Sequence, residues 1–261
     1  PMMPRWRAHL PEYLAEAFGL GLFMVSACGF AVLFFHPGSP VVHRLPGLFG
    51  RNLAMGAAMA LTLLVNVYGP WGQRSGAHLN PAVTLTFFRL GKVAPGDVPG
   101  YVLAQFAGAL AGTGVAALIF GGRLADPAVN YVATVPGPSG ALVALLAELL
   151  IAFVLMLVVL HVAATPSLAR YTGVCAALLV GLYITVESPY SGMSMNPART
   201  VGSAAYAGTW TGWWIYFLAP GLGMLAAAEV FLRLRGPRAR LCAKLHHVDT
   251  VRCIFCEHHA G

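Results

Sequence analysis

The sequence predicts an all-α membrane protein, a bundle of six transmembrane helices and two re-entrant half-helices that form an inverted repeat. Of its residues, 58% are hydrophobic and 10% are charged, whereas a soluble domain carries roughly 25% charged residues. Six apolar runs approach or exceed the roughly 20 residues that a helix needs to cross a bilayer. The tripeptide Asn-Pro-Ala occurs twice, each time between a Gly-bearing loop and a short apolar stretch.

The six apolar runs fall into two groups of three. They are Tyr13–Phe35, Leu48–Tyr68, Val98–Phe120, Leu142–Ala163, Tyr171–Val186 and Trp213–Leu234. Two shorter stretches, Pro81–Arg89 and Pro197–Tyr206, lie between the second and third run of each group and are too short to cross. Three crossings are an odd number, so the second group enters the membrane inverted relative to the first. The motif Leu-Ala-Glu, which ends at Glu16 and again at Glu148, marks the same repeat.

The basic residues predict the orientation. If the N-terminus is cytoplasmic, most of the Lys and Arg residues fall on the cytoplasmic side, so we expect both termini there. The net charge of +7 then reflects membrane topology, and no nucleic-acid partner is predicted.

Asn80-Pro81-Ala82 and Asn196-Pro197-Ala198 read as helix starts, since Asn is a preferred N-cap and Pro suits the first helical position. Either motif alone could be an ordinary cap. Two copies at matching places predict half-helices that enter from opposite faces and meet at their N-termini around a cavity. Each asparagine oxygen would accept from its own helix, leaving the amide NH₂ for the lumen. The positive helix ends would repel cations, and water held by its oxygen could not relay protons.

Three further polar side chains fall in apolar segments. Glu16 and Glu148 could be proton-relay acids, but their symmetric placement favours acceptors for the N–H groups of the re-entrant loops, and Gln105 could act in the same way. Arg199 could snorkel to the interface. Its position three residues after Asn196 instead predicts that it faces the pore.

These residues, with Ser-Gly before each Asn-Pro-Ala, resemble the aquaporin (major intrinsic protein) family over about residues 10–234. The resemblance implies the aquaporin-like bundle, one pore per subunit, a homotetramer in the lipid bilayer and no enzymatic activity. Together with the predicted orientation, it divides the chain into a cytoplasmic segment at 1–10 and a channel domain at 11–235 with repeats at about 11–121 and 140–235. The cytoplasmic Cys/His-containing tail at 236–261 lies outside the resemblance. The expected location is the cell (plasma or inner) membrane.

The resemblance places Arg199 in an outer selectivity constriction. The other members would be Ile184, Met193 and one of four second-span residues, Met55, Gly56, Ala57 or Ala60. Strict water channels usually carry histidine at the place of Ile184, so this constriction should be wider and less polar. A second set of positions is of the water-channel type, namely Thr200, Ala204, Tyr216 and Phe217. We therefore expect a passive water channel that excludes protons and ions; the alternative is a broader channel for glycerol, ammonia, urea or hydrogen peroxide.

The tail concentrates residues with zinc-ligand chemistry, His246, His247, Cys253, Cys256, His258 and His259. Their spacing lacks a recognised four-ligand pattern, and a solvated tail or a reactive dithiol is equally consistent. No other cofactor is predicted. The remaining hypotheses are a closed aquaporin-like scaffold or adhesion protein, and a metal-responsive sensor that acts through the tail.

Overall fold

The computed structural model describes residues 5–236 and 241–259, and this part of the chain is helical without strands. The predicted all-α fold class is confirmed, and six helices are long and apolar enough to cross a membrane. We number nine helices in chain order: α1 Leu10–Phe35, α2 Leu48–Tyr68, α3 Pro81–Arg89, α4 Val98–Phe120, α5 Ala141–Ala163, α6 Thr172–Val186, α7 Pro197–Ala207, α8 Ile215–Arg235 and α9 Ile254–His259.

The connections carry short helical turns at Arg5–Ala8, Pro40–Arg44, Pro70–Ser75, Gly122–Ala125, Asn130–Val132, Ala169–Tyr171 and Ser188–Ser191. Several boundaries differ from the expected ones by a few residues. The largest differences are at α1, which begins at Leu10 because Pro11 suits the first helical turn, and at α8, where Trp213 and Trp214 form a turn before the helix.

The long helices pack in pairs that follow the repeat. Helix α1 packs against α4 and α5 against α8, the first and third crossing of each half, while α2 packs against α6, the two middle crossings. Small residues allow these approaches. A Cβ at Gly108 of α4 would lie 2.2 Å from the carbonyl oxygen of Ala17 in α1. The six crossings bring the described N-terminal and C-terminal segments to one side of the bundle, here called the tail side, where Arg252 contacts Ala8.

Helices α2 and α6 cross at Gly56 and Gly181. A Cβ at Gly56 would lie 2.3 Å from the Gly181 carbonyl oxygen and 2.7 Å from the Thr185 hydroxyl. We therefore expect Gly56→Ala to lower the stability by about 1–3 kcal/mol through overpacking. Thermal unfolding of the detergent-purified protein would measure this. Gly50→Ala is the matched control, since its Cβ would meet nothing within 4 Å. An equal melting temperature for the two variants would contradict the close crossing.

Candidate functional site

A cavity of about 380 Å³ runs through the centre of the bundle between the two half-helices, α3 and α7. Residues of both repeats line it, among them Phe35 toward the side opposite the tail, Asn80 and Asn196 at the centre, and His78 and Leu245 toward the tail side. The lining is mainly aliphatic, with few polar groups. The cavity thus contains the motif asparagines and the arginine that the sequence predicted to face a pore.

The two asparagines cap their own half-helices. The Oδ1 atom of Asn80 accepts from the Ala82 N–H at 2.9 Å, and that of Asn196 accepts from the N–H groups of Ala198 and Arg199 at 3.0 and 3.2 Å. Pro81 and Pro197 occupy the first helical positions. Both half-helices therefore begin in the interior with their first N–H groups partly satisfied by these side chains.

Each asparagine also bonds across to the other loop. Asn80 Nδ2 donates to the Met195 carbonyl at 2.6 Å, and Asn196 Nδ2 donates to the Leu79 carbonyl at 2.7 Å. The sequence alone predicts that the whole NH₂ group faces the lumen. In the structure one of its two hydrogens ties the two loops together, so a single N–H per asparagine remains for the cavity.

Two fully buried carboxylates hold the loops that precede the half-helices. Glu16 accepts from the backbone N–H groups of His78 and Leu79 at 2.9 and 2.7 Å, and also from Ser75 and Gln105. Glu148 accepts from the N–H groups of Ser194 and Met195 at 2.7 and 2.6 Å, and from the Ser191 hydroxyl. These contacts are those of loop-supporting acceptors, the favoured interpretation of the two acids.

The supported loops have matching backbone conformations. Ala77 and Leu79 in the first loop, and Met193 and Met195 in the second, have φ values between 49° and 55°, a region that non-Gly residues seldom adopt. The strain is offset by the carboxylate bonds and by two tyrosines. Tyr101 and Tyr216 each donate to the carbonyl of the serine that opens their loop, both at 2.6 Å.

Sequence reasoning missed this role of the tyrosine pair. A usable signal was present, because the tyrosines follow Ser75 and Ser191 by 26 and 25 residues.

The four positions of the water-channel type lie outside the cavity lining. Thr200 is within hydrogen-bond distance of Ser194 and Thr134, at 2.6 and 3.0 Å, Ala204 is buried, and the Phe217 ring stacks on Phe106. Tyr216 supports the second loop as described above. These residues therefore influence the cavity only through the loops and helices that form its wall.

Around Arg199 the wall is aliphatic. Ile184, Met193 and Met55 line the cavity, while Gly56, Ala57 and Ala60 are not among its lining residues. Because Gly56 packs against Gly181 and Thr185, its neighbour Met55 lies close to the level of Ile184. Met55 is thus the one of the four second-span candidates that lines the cavity. The buried Nη1 atom of Arg199 makes no hydrogen bond to another described protein group.

The tail segment, residues 241–259, folds against the tail side of the cavity. The Leu245 N–H donates to the Gly76 carbonyl at 3.0 Å, and the Leu245 side chain lines the cavity. His78 Nε2 lies 2.6 Å from the Ala243 carbonyl, which can only accept, so this nitrogen carries the proton. The Phe255 ring stacks on the His78 ring at a centroid distance of 5.4 Å.

Arg252 forms an ion pair within the tail and a hydrogen bond to the N-terminal segment. Arg252 donates to both carboxylate oxygens of Glu257 at 2.8 and 2.9 Å, and these hydrogen bonds lower the pKa of Glu257. Arg252 also donates to the Ala8 carbonyl at 3.2 Å. The tail therefore contacts the N-terminal segment as well as the first re-entrant loop.

Of the predicted metal-ligand candidates, the structure brings together His247, Cys253 and Cys256, and adds Cys242. Two other expected candidates are not in this group: His246, whose ring packs on Tyr68 at a centroid distance of 4.6 Å, and His258. The His259 side chain lies outside the described part of the chain. Cys242 was overlooked because it precedes the Cys/His-rich stretch by several residues.

Comparisons with known proteins agree with this geometry. The sequence model of the family described as Major intrinsic protein matches residues 3–231. Among curated relatives, a probable aquaporin NIP-type of Nicotiana alata is 35% identical over 230 residues, covering 87% of this chain and 78% of that protein. Aquaporin NIP1-4 of Oryza sativa subsp. japonica is 38% identical over 237 residues, covering 88% and 78%.

Among solved structures, the aquaglyceroporin from Plasmodium falciparum superposes with a TM-score of 0.68 at 23% identity, covering 85% of this chain and 95% of that chain. At this identity the likeness concerns the fold.

Proposed function

Since the chain belongs to the major intrinsic protein family, whose members are membrane channels and not enzymes, we propose that it passively conducts water and small uncharged solutes while excluding protons and ions. The observation that carries this proposal is the central cavity, where Asn80 and Asn196 begin two opposed half-helices. The exclusion and the choice of solute follow from different parts of the cavity.

Charged species are excluded at the centre of the cavity. Each half-helix N-terminus contributes roughly half a positive elementary charge, so a cation meets a barrier there. The remaining N–H of each asparagine donates to a water oxygen, and that water then has its hydrogens directed away from the centre. A continuous proton-conducting chain of waters is therefore interrupted at this point.

The choice of solute depends on the wall around Arg199. The side chains of Met55, Ile184 and Met193 offer no hydrogen-bond donor, and the Arg199 guanidinium supplies donors at the same place. An aliphatic wall with one donor group suits a solute with an apolar edge and hydroxyl groups, such as glycerol, as well as water. The similar proteins, which are named aquaporins and an aquaglyceroporin, agree with this range.

We further propose a homotetramer in the cell membrane, plasma or inner, with both termini cytoplasmic. Exposed leucines such as Leu103, Leu118 and Leu142 give the bundle an outer surface suited to lipid or to a neighbouring subunit. Exposed Trp210, Trp213 and Trp214 precede α8, where aromatic residues commonly mark a membrane interface.

Stopped-flow light scattering on proteoliposomes tests the proposal. We expect faster osmotic shrinkage than in empty vesicles, faster re-swelling in an inward glycerol gradient, and no added proton leak. The decisive sample is the chain without residues 241–261, because the tail segment lies against the cavity. If this shortened chain let vesicles shrink no faster than empty ones, the channel would be overturned and a closed scaffold favoured. Water transport without glycerol transport would limit the solute to water.

Ile184→His tests the constriction. The imidazole would replace an apolar wall by a hydrogen-bonding ring near Arg199, so we expect glycerol permeability to fall several-fold while water permeability is largely kept. The ratio of the two permeabilities in proteoliposomes measures this. Leu178→His is the control, because Leu178 of the same helix is exposed on the outside of the bundle. An equal ratio in both variants would exclude Ile184 from the constriction.

A further inference from the structure

Four side chains of the tail segment converge although they are spread over it. The Sγ atoms of Cys242 and Cys253 lie 3.5 Å apart, and those of Cys256 and Cys242 lie 3.8 Å apart. A ring nitrogen of His247 completes a set of four ligand atoms that all lie within 4.8 Å of one another. All four donors belong to soft or borderline ligand types, and no carboxylate is among them.

We propose that Cys242, His247, Cys253 and Cys256 form a tetrahedral zinc site that fixes the tail across the tail-side mouth of the channel. With Zn–S bonds of about 2.3 Å, tetrahedral coordination places two sulfur ligands about 3.8 Å apart, close to the separations seen here. A closed set of three cysteines and one histidine, with no position left for water, is typical of structural zinc and not of catalytic zinc.

The surroundings of the four ligands suit this ion. The His247 Nε2 atom lies 3.3 Å from an Asp249 carboxylate oxygen, and a carboxylate of this kind orients the imidazole in zinc sites. Three thiolates and Zn²⁺ carry a net charge of −1, and the positively charged Lys244 lies buried in the same segment. Its ammonium group donates to the carbonyls of Gln73 and Arg252 at 2.6 and 2.8 Å.

The tail segment also has little regular structure and a small core, so it needs such a crosslink. Its one regular element is α9, a helix of 6 residues, and only a few apolar side chains are buried, chiefly Leu241, Leu245, Ile254 and Phe255. So short a segment seldom holds one conformation through its own core, and a structural metal supplies the missing stability.

The consequence for transport rests on the proposed function. Leu245 lines the cavity, and the bonds of Ala243 and Leu245 to His78 and Gly76 hold it beside the first re-entrant loop. Phe255 stacks behind the same histidine. We call Leu245 and the tail residues that hold it there the plug. Zinc would join the segment before Leu245 to the segment around Phe255 and so keep the plug in place. Loss of zinc would free it and raise the permeability.

Metal analysis of the full chain tests the site without any transport measurement. We expect about one zinc per subunit after purification with zinc under reducing conditions, and a loss of most of it in Cys253→Ser/Cys256→Ser. Cys175→Ser, a cysteine of α6 outside the group, is the control and should keep it. Asp249→Asn, which alters only an exposed carboxylate, should weaken zinc binding by roughly tenfold.

A zinc-free wild-type chain, or zinc retained by the double variant, would overturn the site. So would a Cys242–Cys253 disulfide found by mass spectrometry in protein kept under reducing conditions, since that pair would then act as a redox dithiol.

The plug is tested in proteoliposomes by osmotic shrinkage with and without a membrane-permeant zinc chelator. We expect the chelator to raise water permeability several-fold in the wild-type chain. It should have no effect on the chain without residues 241–261, whose water permeability should be high with and without the chelator. Zinc removal with unchanged permeability would overturn the plug and leave the zinc site. A truncated chain no faster than empty vesicles would overturn the proposed function, while the metal analysis would still decide the site.

Discussion

Glu148→Ala should cause a large loss of stability. The carboxylate is fully buried and accepts from the N–H groups of Ser194 and Met195 and from the Ser191 hydroxyl. Each buried donor left without a partner costs about 1–3 kcal/mol, which together approaches the whole stability of a typical domain. We expect little folded protein, and a strongly lowered melting temperature by circular dichroism in detergent for what is recovered.

Two further variants make this prediction specific. Glu148→Gln keeps one acceptor oxygen and should have an intermediate melting temperature. Glu229→Ala removes a carboxylate whose ion pair with Arg89 is half-exposed, so its cost should be about 0–1 kcal/mol. A Glu148→Ala protein with the wild-type melting temperature would contradict the supporting role and return the proton-relay hypothesis to consideration.

Arg199→Ala should have a large effect on selectivity. The arginine lines the cavity beside Ile184 and Met193, and its buried Nη1 atom has no described protein partner. Its removal widens the passage and deletes the positive charge that opposes cations. We expect glycerol permeability to rise roughly tenfold, which corresponds to about 1.4 kcal/mol of barrier. A measurable cation leak should accompany the rise.

Glycerol re-swelling and a fluorescent pH or sodium indicator inside the vesicles provide the two readouts. Arg123→Ala is the matched control, because it removes the same charge from an exposed site outside the cavity and should change neither. Glycerol and cation permeabilities equal to those of the wild-type chain would rule out Arg199 as part of the constriction.

The fold followed from local sequence properties. Apolar runs long enough to span a bilayer predicted the six long helices, because in lipid every backbone group must be satisfied within a helix. Asn80 and Asn196 predicted the half-helix starts because a cap depends on only a few neighbouring residues. Glu16 and Glu148 were identified because their symmetry in the repeat can be read directly from the sequence.

The points that the sequence left open or incomplete depended on contacts between distant segments. The second-span member of the constriction stayed open among four residues, because the short helix Pro70–Ser75 obscures the alignment of α2 with the first loop. Packing of Gly56 on Gly181 places Met55 at the cavity. Cys242 was absent from the expected ligand set for the same reason, since folding of the tail, and not spacing, brings it to Cys253.

The sequence by itself determined the fold class, the inverted repeat, the two half-helix starts and the position of Arg199 beside the second start. These features depend on the length of apolar runs, on capping chemistry and on the placement of charges, all of which are local. Only the tertiary structure decided how these parts meet. It showed that one hydrogen of each asparagine amide joins the two loops, that Met55 lines the wall, and that the tail lies against the cavity. Those features depend on side chains from remote segments coming within a few ångströms, which no local pattern encodes.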